Sequence, residues 1–206
     1  MTTRAHAALL IAVPLAFSVL LWFHPMLTDY EDLLGVTTRF QVVHLAMVLA
    51  LPLVAVGMHV MLGGASGRAA ATARIALIPF VAFYVPYVAF EGIAVGVLGQ
   101  ELNRLPAQQR EAIAPEMIED FARNPIVGEP SVFWALGTLA LLVAVVSAVL
   151  ALRRAGAPVA LQILLGASAL IGTHAPPLAP IGYVCFAAAG AMVLRARAQK
   201  RATATR

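Results

Sequence analysis

Apolar residues along this chain come in long unbroken runs, without the strict alternation of a half-buried strand. Such runs cover residues 7–23, 40–62, 75–98 and 132–152, and from 158 to 194 the chain is apolar throughout. A helix needs roughly 20 residues to cross the ~30 Å hydrocarbon core of a bilayer, so the last region is too long for one crossing. The stretch THAPPLAP, residues 173–180, interrupts it with three prolines. This divides it into two short spans, 158–173 and 181–194. The pattern predicts an all-α, polytopic integral membrane protein, a six-transmembrane-helix bundle forming a single membrane domain over residues 1–206. No β-barrel alternation is visible, and helices are the other way to satisfy backbone groups in lipid.

The first run, with Arg4 before it, has the outline of a signal peptide. The residues that close it, LLWFHPM, are bulky and offer no small-x-small cleavage site. A retained helix with Trp22 at the interface is therefore expected. The one sizeable loop is 100–130. Within it, PEMIEDFARNP reads as a short amphipathic helix, with Pro115 at its first position, acids in the opening turn and Arg123 in the last. Met117, Ile118 and Phe121 share one face, which suits either a lid lying on the bundle or a solvated connector.

Composition agrees with the runs. Of the 206 residues, 61% are hydrophobic and 12% charged, where a soluble domain averages about 25% charged. The net charge of +4 raises the question of nucleic acid, and the placement of the charges answers it. Six spans put both termini on one side, which carries Arg4, Arg68, Arg74, Arg153, Arg154, Arg195, Arg197, Lys200, Arg201 and Arg206 and no acid. The other side carries Arg39, Arg104, Arg110 and Arg123 with Asp29, Glu31, Asp32, Glu101, Glu111, Glu116, Glu119, Asp120 and Glu129. Ten basic residues against four is the positive-inside pattern. Both termini are expected in the cytoplasm, the protein in the cytoplasmic (inner) membrane, and loop 100–130 outside. The tail RARAQKRATATR then anchors the chain beside anionic lipid, and no nucleic acid is expected as a partner. The bilayer is the expected partner, with a homo-oligomer or a membrane partner subunit left open. The single cysteine, Cys185, excludes an intrachain disulfide framework and any CxxC motif.

Few polar residues lie within the runs. Glu91, in PYVAFEGIAVG, is the one carboxylate inside a span. Gly99, eight residues on, marks the outer end of its helix, so Glu91 is expected ~12 Å below that end. An ionised acid in hydrocarbon costs several kcal/mol and should face the bundle with a partner. Tyr87 and Tyr84 stand one and two turns before it on the same stripe. Gly92 and Gly96 form GxxxG, which lets a neighbouring helix approach closely. Pro79 and Pro86 each remove a backbone donor and should bend the helix. His44 lies about a turn below Phe40, while His24 and His174 end their helices on the outer side, where imidazolium suits the helix dipole. That geometry puts His24 and His174 at the interface and His44 with Glu91 ~10 Å deeper. Met26, Met47 and Tyr183 are further candidates in the same half.

Histidine with carboxylate is what zinc or non-haem iron prefers, and histidine with methionine suits copper. His44 and His59 have the vertical spacing of a two-haem cytochrome, but the third, fourth and sixth spans hold no matching histidine. A single haem b between His44 and His174 is a less favoured arrangement. No phosphate loop, GxSxG elbow or HExxH occurs. The leading functional expectation is an outward-opening His/Glu pocket of His44, Glu91, His174 and His24 that binds a metal ion, supported by Tyr84, Tyr87, Met47 and Tyr183. The alternatives are a proton- or cation-coupled transporter or accessory subunit using Glu91, and a structural subunit whose polar residues only bond between helices. Neither catalysis nor substrate is specified by the sequence.

Overall fold

The computed structural model describes residues 3–27, 30–128 and 130–204. Asp29, Glu129 and Arg206, counted in the charge asymmetry, lie outside the described residues. The elements are α1 (Arg4–Leu21), α2 (Tyr30–Leu62), α3 (Arg68–Leu102), α4 (Ala107–Ala122), α5 (Val132–Arg154), α6 (Val159–Thr173) and α7 (Leu178–Ala204), and no strand occurs among the described residues. Five of them, α1, α2, α3, α5 and α7, are long and apolar enough to cross a membrane. The sixth apolar element, α6, is shorter: a stretch of α-helix over Val159–Ala167 followed by a 3₁₀ segment over Ser168–Thr173.

The core between the helices is built from large side chains, with Tyr84, Tyr87, Tyr183, Phe80 and Phe186 fully buried. One end of the bundle carries the two termini. There Arg197 of α7 donates to the carbonyls of Val60 and Met61 at 2.7 and 3.2 Å, and Arg74 of α3 donates to those of Gly63 and Ala65 at 2.9 and 3.1 Å. A guanidinium at a helix C-terminus satisfies carbonyls that have no intrahelical donor.

The opposite end carries α4, and at both ends the helices outrun their expected bounds. Helix α2 begins at Tyr30 rather than residue 40, and α3 runs over 68–102 rather than 75–98. At the termini end α7 runs over 178–204 rather than 181–194. Hydropathy marks where lipid contact ends, whereas a helix continues while its caps and packing allow. Glu31 and Asp32 in the first turn of α2 favour its N-terminus, and Leu33 and Phe40 bury one face of the extra turns. Helix α4 begins at Ala107 after Pro106, so Pro115 lies inside it rather than at its start. Ile118 and Phe121 pack on Leu33, Phe40 and Val95, forming an apolar cap on this end. Met117 is 43% exposed and does not share that contact.

The prolines of α1 and α3 act through π-helical segments. Ala8–Ala12 and Phe80–Tyr84 are π-helical, and each is followed directly by Val-Pro, at Val13-Pro14 and Val85-Pro86. A proline ring crowds the carbonyl four residues back, and a wider turn relieves that contact. In α3 the backbone beside Pro86 is π-helical. A third π segment, Ala89–Ala94, contains no proline; it carries Glu91 and Gly92. Single π turns inside α-helices often occur at functional positions.

Candidate metal centre

The chain is locally unusual at each of three histidines. Beyond α1 the backbone tightens: Trp22, Phe23 and His24 donate to the carbonyls three residues back, at 3.0–3.2 Å. This tight turn brings His24 back against the bundle, 9% exposed. His44 lies within α2 with no exposed surface, and its Nδ1 is 2.8 Å from the Phe40 carbonyl. That contact places the Nδ1 proton and leaves Nε2 as the lone-pair atom. His174 ends the 3₁₀ segment in the left-handed region, φ 43° and ψ −13°, and is 6% exposed. A non-glycine residue there costs of order 1–3 kcal/mol, and such strain concentrates at functional sites.

The three rings meet. One nitrogen from each lies within 4.8 Å of one nitrogen of both others. Ring centroids are 4.8 Å apart for His24–His44, 5.4 Å for His24–His174 and 6.0 Å for His44–His174. Glu91 reaches the group from α3, with Oε2 3.5 Å from His174 Nε2. His174 Nδ1 is buried without a hydrogen-bond partner among the described residues. His24 lies beyond the end of α1.

Neighbouring residues fix this arrangement. A Cβ added at Gly92 would stand 1.7 Å from His44 Cγ, so only glycine leaves room for the ring against the π segment of α3. Gly96 and Gly99 continue the stripe against Gln41 and Thr37 of α2. Phe40 stands on the side toward α4, its ring centroid 4.2 Å from His44 and 5.8 Å from His24. Tyr87 meets His174 edge-on at 5.7 Å, and the Tyr84 hydroxyl donates to the Gly172 carbonyl at 2.8 Å, two residues before His174.

The structure thus gathers His24, His44, His174 and Glu91, with Tyr84 and Tyr87 behind them. The expected difference in level between the outer histidines and His44 is not found. Two features remove it: His24 folds back after α1 ends at Leu21, and the short α6 stops at the level of the cluster. Irregular backbone at such a level is tolerated where protein buries it. Glu91 meets His174, with Oε2 3.5 Å from its Nε2. Met47 and Tyr183 belong to the large apolar core, with Tyr183 packed on Phe17 at 5.9 Å, and Met26 is 64% exposed. Nothing in the sequence marks Phe40 as part of the site, because an aromatic in an apolar run reads as packing. Comparison with protein-family models, with curated proteins and with solved structures finds no match.

Proposed function

We propose that this is a six-span membrane protein that holds one divalent transition-metal ion, zinc by preference, on His24, His44 and His174. In this reading the termini are cytoplasmic, α4 is extracytoplasmic, and the metal lies in the outward half of the bundle. The observation that carries it is the spacing of the lone-pair atoms. His24 Nε2 and His44 Nε2 are 3.4 Å apart, beyond the usual N–H donor range of about 2.7–3.2 Å. With Zn–N bonds of about 2.0–2.1 Å, tetrahedral ligand atoms stand about 3.3–3.4 Å from one another. The spacing is poor for a proton between the rings and good for a metal.

The surroundings support zinc over the alternatives. Three imidazoles with a neighbouring carboxylate are a donor set that suits zinc better than copper, which favours methionine sulfur, and Met26 is exposed. His24 packs against both His44 and His174 and fills the space that a haem between those two would need. Three imidazoles leave a zinc ion with a fourth position, and Glu91 beside His174 supplies charge balance.

Metal analysis of the purified protein tests the reading. About one zinc per chain is expected, with His44→Ala and His174→Ala each lowering the content at least tenfold. A wild-type protein that stays free of zinc, iron and copper after growth in supplemented medium would sink it.

A further inference from the structure

We infer that the metal centre opens sideways into the hydrocarbon, through Glu91, and that its ligand is a membrane-dissolved amphiphile carrying a metal-binding polar head. The inference rests on the metal reading for the head group, and on geometry alone for the opening. Of the four polar residues that meet, the histidines are 9%, 0% and 6% exposed, whereas the Glu91 side chain is 22% exposed. Its Oε2 is buried toward His174, so the exposure belongs to the rest of the side chain. The accessible flank of the site is therefore the α3 flank.

That flank is apolar. Phe90 is 43% exposed and Val97 46%, and both belong to the span Arg68–Leu102. An exposed apolar side chain within a membrane span faces lipid. On the α4 side, Phe40 lies against the His24 and His44 rings, and Leu33, Val95, Ile118 and Phe121 pack around it. A water-soluble ligand would have to cross the Phe40 layer; a bilayer-dissolved one would not.

Carbodiimides of opposite solubility decide the opening without reference to metal. Metal-free protein in detergent or liposomes is treated with hydrophobic dicyclohexylcarbodiimide or with water-soluble EDC, and the Glu91 peptide is quantified by mass spectrometry. At least tenfold more Glu91 adduct is expected with the hydrophobic reagent. Equal or greater modification by EDC would show an aqueous mouth, and no modification by either would show a sealed site; each result overturns the inference. The ligand class is tested on cobalt-loaded protein. Lauroyl hydroxamate should perturb the visible d–d band at a concentration where acetohydroxamate, with the same head, does not. Equal response to both overturns the amphiphile. Failure to take up cobalt sinks the metal reading and the head-group assignment with it, while the carbodiimide result still decides the opening.

Discussion

At the scale of single residues, the site depends on an atom that is missing. His44 occupies the space that a side chain at position 92 would take, with only 1.7 Å between its Cγ and an added Cβ. Gly92→Ala must therefore displace either the imidazole or the π segment of α3. Overpacking of a close-packed core costs about 1–3 kcal/mol, and here the displaced group is a proposed ligand. The expected outcome is a lower thermal midpoint together with at least a tenfold loss of bound zinc, although no ligand is changed. Gly35→Ala on α2 is the matched control, because a Cβ there meets nothing within 4 Å; it should leave zinc content unchanged. The sequence allowed part of this to be read. The cost of an acid in lipid pointed to Glu91, and GxxxG pointed to a close approach at Gly92. What it could not supply was the ring lying against that glycine. It named His24 and His174 as pocket members, but both also read as helix ends favoured by the dipole and stood at a different level from His44. Their membership depends on a fold-back after Leu21 and a left-handed backbone at His174, neither of which has a hydropathy signature.

Among the elements, the 3₁₀ segment Ser168–Thr173 aims His174, and a neighbouring helix holds that segment. Tyr84, in the π segment Phe80–Tyr84, donates to the Gly172 carbonyl. Tyr84→Phe removes this donor while keeping the ring, at a cost of about 1–3 kcal/mol if the carbonyl stays buried with one donor fewer. A lower thermal midpoint is expected, and with it a several-fold weaker zinc affinity in competition with a fluorescent chelator. A drop in stability with unchanged zinc affinity would make Tyr84 a packing residue only. The existence of α1, α2, α3, α5 and the divided final region was legible from apolar runs alone. Helix limits were not, because the added turns of α2, α3 and α7 are charged or amphipathic and continue on capping and packing. Helix α4 shows the same limit: Pro115 resembled a start signal, yet it lies inside the helix, half-buried. With Met117 exposed and Phe121 packed on the cap, water-soluble oxidants should convert Met117 to its sulfoxide while leaving the cap intact.

For the whole molecule, the expected orientation in the membrane rests on those basic residues that have no structural role. Arg74 and Arg197 cap helix ends, so folding alone gives a reason for both. Arg206 lies outside the described residues. Among the rest at that end, Arg4, Arg68, Arg153, Arg154, Arg195 and Lys200 are exposed, and sequence places no acid beside them. At the α4 end, Arg104 pairs with Glu101 and Arg123 with Glu119, in a loop rich in acids. The asymmetry survives without Arg74 and Arg197, and basic residues within about 15–20 residues of span ends are the ones that set orientation. Reporter fusions after Gly64 and after Arg154 are therefore expected to report the cytoplasm, and a fusion near Gln109 the outside. The opposite pattern would place the histidine cluster, Glu91 and the α4 cap in the cytoplasmic half. It would overturn the outward-facing site while leaving the metal spacing of His24 and His44 untouched, so orientation and metal binding stand or fall by separate measurements.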